Sequence, residues 1–174
     1  MALVPSQNAF TFLRQWEGFR SQAYPDTGGI WTIGYGSTRW EDGTPVKAGD
    51  TCTLQQAERL LELKALQFLH EVSKYVVVSP NQNQVDAITA FVYNIGTPAF
   101  ETSTFLKYLN QQNWTAAASQ FVWQDANGNY HGWVYVNGHV DPGLVNRRKA
   151  EQKLFNTPVA AANFSDVVSV LNVH

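Results

Sequence analysis

The stretch Trp16-Glu17-Gly18-Phe19-Arg20, continuing through Ala23-Tyr24-Pro25-Asp26 to Trp31-Thr32-Ile33-Gly34-Tyr35-Gly36, decides how this chain is read. Leading into it, Ala9, Phe10, Leu13 and Trp16 fall three or four residues apart. Ser6 to Trp16 therefore reads as an amphipathic helix that delivers Glu17 to its C-terminal end, with Gly18 just beyond. The period then changes. Over residues 22–46, Tyr24, Ile30, Trp31, Ile33 and Tyr35 lie among Gly28-Gly29, Gly34, Gly36 and the turn pair Asp42-Gly43, which predicts two or three short antiparallel strands.

Further along, Thr53 and Gln56 have the form of a capping box, and Leu54, Ala57, Leu61, Phe68, Val72 and Tyr75 continue at helical spacing. They predict a helix of about twenty-two residues that bridges two lobes. Ser79, with Pro80 at the first position and Gln82 three residues on, predicts the start of another helix, with Val85, Ile88, Val92 and Ile95 as its core stripe and Gly96 as its stop. Shorter helices follow at about 103–110 and 114–122. Tyr130 to Val140 alternates apolar and polar residues across Asn137-Gly138, a strong hairpin signal, and Asp141-Pro142 caps a last helix to about Phe155. From Pro158 onward the pattern assigns no structure.

Composition narrows the function classes. The chain has 174 residues, 44% hydrophobic and 15% charged, enough for one core or two small lobes sharing a helix. A net charge of −2 gives no positive field to attract nucleic acid, so no nucleic-acid partner is expected. Cys52 is the only cysteine, which excludes an internal disulfide and makes a small, partly buried residue the expected role. His70, His131, His139 and His174 lack metal-ligand spacing, and no metal or cofactor is expected. Met1 to Leu13 carries no basic start followed by an apolar run, and no stretch approaches a membrane span, so neither export signal nor membrane insertion is expected.

Two carboxylates, Glu17 and Asp26, and the Thr32 hydroxyl thus gather around one glycine-rich hairpin, the groups that acid/base hydrolysis of a glycosidic bond requires. Their order and intervals resemble the phage-type lysozymes of the T4 lysozyme family. The resemblance covers about residues 8–156 and extends to Phe91-Val92-Tyr93-Asn94-Ile95-Gly96, to Leu109-Asn110-Gln111-Gln112-Asn113-Trp114 and to Gly143-Leu144-Val145-Asn146-Arg147-Arg148. It implies an α+β, mainly helical lysozyme-like fold, with a small N-terminal antiparallel sheet lobe joined by a long helix to a helical C-terminal lobe. The expected layout is one catalytic domain over 1–156, with a sheet lobe at about 13–60, a helical lobe from 1–12 and 61–156, and a tail over 157–174.

A general acid must hold its proton at working pH, so Glu17 requires a partly desolvated setting, to which Trp16 contributes. It would protonate the leaving oxygen. Asp26, on a turn, would stay ionised, with Thr32 holding a water against it on the opposite face of the sugar, an inverting arrangement whose stereochemistry sequence spacing leaves open. Arg147 matches a family arginine beside the glutamate and is assigned to orientation and lobe closure, with a plain surface cation as the alternative; Arg148 is read as an ordinary surface cation. Tyr93 and Asn94 match positions along the family's saccharide cleft, with core packing an equal alternative for Tyr93, and Thr38, just past the Gly34-Tyr35-Gly36 turn, is expected to line the cleft as well. Many relatives carry histidine where this chain has Ser37, and the 123–143 segment is longer than in compact members, which leaves it either at the cleft rim or packed over the lower lobe.

The resemblance implies an endolysin that cleaves the β-1,4 bond between N-acetylmuramic acid and N-acetylglucosamine in bacterial peptidoglycan. With no export signal expected, the chain is expected to accumulate in the host cytoplasm, as a monomer, and the resemblance implies a holin for its passage to the wall. A lytic transglycosylase is the enzymatic rival, disfavoured by the intact Asp26 and Thr32. A catalytically silent wall-binding or virion module is the rival from outside enzymology.

Overall fold

The computed structural model describes residues 3–26 and 28–159, so the tail from 160 onward lies outside the described residues. Helix α1 (Gln7–Glu17) starts where the Ser6 hydroxyl accepts from the Asn8 N–H and ends at Gly18, whose φ of 70° turns the chain away. Strands β1 (Arg20–Pro25) and β2 (Trp31–Gly34) pair antiparallel, with Tyr24 opposite Thr32 and Pro25 opposite Trp31. Helix α2 (Leu54–Val72) opens on the Thr53/Gln56 capping box, both hydrogen bonds of which are made. Gly34 lies against this helix with φ +64°, and a Cβ there would sit 2.9 Å from the Ala57 Cβ. Only glycine allows both the turn and the approach.

Helix α3 (Gln82–Ile95) is the hub of the molecule, buried along most of its length. Ser6 donates from both its N–H and its hydroxyl to Asp86 on α3, which fixes the start of α1. The chain then runs through α4 (Thr97–Glu101), α5 (Thr104–Asn110), α6 (Trp114–Ser119), the paired strands β3 (Val122–Gln124) and β4 (Tyr130–Gly132), the hairpin β5 (Tyr135–Val136) to β6 (His139–Val140), and α7 (Pro142–Asn156).

Two main hydrophobic clusters result, beside a small third one of Val122, Val134 and Val145. One joins Phe10 and Leu13 of α1, Ile33 and Tyr35 of the sheet region and Ala57 to Ala65 of α2. The other is helical and centres on Phe91, Phe105, Phe121 and Phe155, whose ring contacts at 4.9–5.7 Å run mostly edge to face. Phe68 packs against both, which makes α2 a shared wall.

Several boundaries differ from the sequence reading. Helix α2 has 19 residues and stops at Val72, short of Tyr75, which is held in a following turn by a bond from its N–H to the Val72 carbonyl. Helix α3 starts at Gln82, not at Pro80, because the Asn81 side chain caps Gln84 and Gln84 returns the bond. The expected 114–122 helix ends at Ser119, since Val122 enters a strand. Tyr130 to Val140 is two strand pairs rather than one hairpin: β4 pairs back to β3, and only β5 and β6 flank Asn137-Gly138, both residues with positive φ. Trp133 packs on Phe91 of the helical core at 5.7 Å and the fully buried Val134 joins Val122 and Val145 in the small third cluster, so this part of the longer segment is packed inward while the hairpin beyond it is exposed.

Candidate active site

Glu17 closes α1, and its Oε1 lies 2.8 Å from Nη2 of Arg147 on α7. The approach is oblique, so the contact is Coulombic rather than an aligned hydrogen bond. Arg147 is buried. Its Nε donates to Oε1 of Glu151 at 3.0 Å and its Nη2 to the Ala90 carbonyl of α3 at 3.2 Å. The other Glu151 oxygen, Oε2, is 3.1 Å from Nη1 of Arg148, whose Nη2 donates to Oδ1 of Asn94 and whose guanidinium lies 5.1 Å from the centre of the Phe91 ring. Four charges from two helices thus share a region in which Glu151 and Arg148 are wholly buried.

Desolvating ions costs several kcal/mol each, which only close pairing offsets. Burial pulls Arg148 down to about 10, with Glu151 opposing, so it is still a cation at neutral pH. Burial likewise raises the Glu151 carboxyl, against both arginines. Its Oε1 accepts an aligned bond from Arg147, Oε2 lies 3.1 Å from the Arg148 guanidinium without one, and the two adjacent cations favour the carboxylate. Lys64 adds a further cation: its Nζ donates to the Gly36 carbonyl at 2.8 Å and sits 4.6 Å from the centre of the Tyr93 ring. Burial lowers its pKa, with Glu17 acting in the opposite sense.

Across the hairpin, the turn between β1 and β2 holds Asp26. Its Oδ1 accepts from the N–H groups of Gly28 and Ile30, both at 2.8 Å, while the Asp26 N–H donates to the Ile30 carbonyl at 2.9 Å. The Thr32 hydroxyl donates to that same Ile30 carbonyl at 3.0 Å. One backbone unit therefore fixes Asp26 and Thr32 relative to each other. With the Thr32 proton committed, its oxygen retains acceptor lone pairs, and Oδ2 of Asp26 is unengaged among the described residues.

The other expected site residues are distributed differently. Tyr93 takes the core position rather than the cleft one: it is buried, its hydroxyl donates to the Tyr35 carbonyl at 2.8 Å, and burial, with the Glu17 charge, pushes its pKa above the ordinary tyrosine value. Asn94 is exposed, beside a hollow of about 290 Å³ that Trp133 and Tyr135 also line. Thr38 is exposed on the edge of a second hollow of about 330 Å³ with Trp40, Lys64 and Phe68. A larger hollow of about 800 Å³, lined by Trp40, Glu41, Arg59 and Glu62, touches none of the expected site residues. Arg148 is not a surface cation, and Glu151 escaped the sequence reading altogether. The signal for both was present in Arg147-Arg148-Lys149-Ala150-Glu151, since residues three and four apart meet on a helix. Among the described residues, no three His, Cys, Asp or Glu side chains cluster as metal ligands.

Residues 14–151 match the phage lysozyme family. The chain belongs to that family. It is 40% identical over 153 residues to the endolysin of Salmonella phage P22, covering 86% of this chain and 96% of that one. It is 37% identical over 155 residues to the endolysin of Acyrthosiphon pisum secondary endosymbiont phage 1, covering 87% and 97%. The solved endolysin from Escherichia coli O157:H7 phage FAHEc1 superimposes with a TM-score of 0.74 at 33% identity, over 92% of this chain and 97% of that one. The protein is a lysozyme of the endolysin type, a peptidoglycan hydrolase, with the lysozyme-like combination of a small antiparallel sheet and a helical body.

Proposed function

We propose that this phage lysozyme is of the T4 type and hydrolyses the β-1,4 bond between N-acetylmuramic acid and N-acetylglucosamine, with inversion. Glu17 protonates the leaving oxygen, and Asp26, with Thr32, holds and deprotonates the attacking water on the other face of the sugar. The observation that carries this reading is the shared Ile30 backbone, which sets a carboxylate and a hydroxyl acceptor side by side on a rigid turn. Arg147 orients Glu17 and ties α1 to α7. Asn94 and Thr38 contact the saccharide from exposed positions.

In this account residues 1–156 form one catalytic domain of two lobes, and the protein acts as a monomer on peptidoglycan without metal or cofactor. It accumulates in the host cytoplasm and reaches the wall through a holin lesion. No helix among the described residues is long and apolar enough to cross a membrane.

Mass analysis of soluble fragments from purified peptidoglycan, digested by wild type and by Glu17→Gln, tests the reaction. Reducing muropeptides from wild type alone are expected. Anhydro ends would assign a lytic transglycosylase, and no release from either protein would assign a binding or virion role.

A further inference from the structure

Glu17 faces charged and titratable groups from every helix packed around it. Arg147, Arg148 and Glu151 come from α7, Lys64 from α2 and Tyr93 from α3, with Tyr24 of β1 near the Tyr93 ring. A guanidinium at 2.8 Å opposes protonation of a carboxylate, yet an acid catalyst must carry a proton. The wholly buried Glu151, which accepts from the same guanidinium at 3.0 Å, answers this conflict. Resting on Glu17 as the acid, we infer that Glu151 is a positioning and counter-charge residue, which anchors Arg147 and divides its positive field so that Glu17 can be protonated during turnover.

The charge count makes the inference directional. Around Glu17, the α7 cluster of Arg147, Arg148 and Glu151 sums to +1. Glu151→Gln keeps the side-chain shape and an acceptor for Arg147 but leaves +2, which favours ionised Glu17. The alkaline limb of the activity profile, where the acid loses its proton, must then move to lower pH. Arg148→Gln leaves zero and moves the limb to higher pH. The double variant Glu151→Gln with Arg148→Gln returns to +1 and returns the limb toward wild type. A residue needed only for folding gives no shifts of opposite sign and no restoration.

The test is the pH dependence of kcat and kcat/KM for soluble glycan fragments, with wild type, both single variants, the double variant and Glu17→Gln. Melting curves accompany each. Displacements of about one pH unit in opposite directions, with restoration in the double variant, are expected; a tenfold change in proton affinity corresponds to one unit. Unmoved limbs, or limbs that move the same way, overturn the inference. Should Glu151→Gln fail to fold, Arg148→Gln against the double variant decides it: the double variant must lie at lower pH than Arg148→Gln alone. Activity in Glu17→Gln would overturn the acid assignment itself, whereas an inactive Glu17→Gln with static limbs overturns only the role of Glu151.

Discussion

Two turns of this molecule are built alike and differ in one oxygen. In the turn from Asp26 to Ile30, Oδ1 accepts from the N–H groups two and four residues on, the Asp N–H donates to the Ile30 carbonyl, and the Gly29 N–H returns to the Asp26 carbonyl. The turn from Asp125 to Asn129 repeats each bond, with Asn127, Gly128 and Asn129 in the same places, and closes β3 onto β4 as the first closes β1 onto β2. At Asp125, however, Oδ2 accepts from the Asn129 side chain and lies 3.3 Å from His131 Nε2. These bonds hold that carboxyl down at about 2. The same local scaffold thus yields a saturated, structural carboxylate in one hairpin and a carboxylate with a spare oxygen beside Thr32 in the other. Chemistry follows from what the turn leaves unpaired.

The comparison is broken most sharply by asparagine at each position. Asp26→Asn keeps the Oδ1 acceptor and so the turn, and it is expected to lower glycan hydrolysis by about 10²- to 10⁴-fold, the usual range for a general base, with little change in melting temperature. Asp125→Asn is expected to leave hydrolysis within about twofold, since its contacts are confined to its own hairpin and surface substitutions away from a site act weakly. Parallel rate and melting measurements on the two variants check both outcomes.

A second contrast sets the turn side of the site against the buried side. Arg147→Met removes the guanidinium shared by Glu17 and Glu151, and breaking such a buried pair costs about 3–5 kcal/mol; chemical denaturation would show this as a lower midpoint. Gly34→Ala acts where the sheet meets α2, and it is expected to destabilise by about 1–3 kcal/mol as an overpacked contact, because the new Cβ would lie 2.9 Å from that of Ala57 at a φ of +64°.

The smallest expected effect is in acid. Because the Asp125 carboxyl is depressed from 3.8 to about 2 in the folded protein, its contribution to stability is complete above about 3.8 and is lost as pH falls toward 2. Melting temperature against pH should therefore fall less steeply in that interval for Asp125→Asn than for wild type.

How much of this was legible in the sequence depended on whether a signal was local. The end of α1 at Glu17-Gly18, the α2 capping box, the Asn137-Gly138 turn and the Asp141-Pro142 start of α7 each lie within a few residues, and each formed as read. The start of α3 differs because Ser79 and Asn81 each have a glutamine three residues on, and the reciprocal bonds form only between Asn81 and Gln84, while the Gln82 side chain turns to Val4 and Asp86. Helix α4 was missed although Pro98 near its start follows Gly96, a helix-start signal hidden by the preceding helix stop.

At the site, the resemblance supplied Glu17, Asp26, Thr32 and Arg147. Their partners did not follow from it. Lys64, 47 positions from Glu17 in the chain, approaches it only because α2 packs on the sheet. Arg148 reads as an ordinary surface charge, and Glu151 carries no signal of its own, until α7 is seen to bury that face against α3. Tyr93 presented the reverse problem, since an aromatic next to an apolar stripe suits core and cleft equally, and its bond to the Tyr35 carbonyl is a tertiary fact.

In the proposed mechanism, water attacks from the Asp26–Thr32 side while Glu17 protonates the leaving oxygen from the other. Proton NMR of the first product formed from a soluble peptidoglycan oligosaccharide tests this most directly. Inversion at a β-linkage releases the α-anomer before mutarotation, and that is the predicted signal. Initial release of the β-anomer, or of an anhydro sugar, would contradict it.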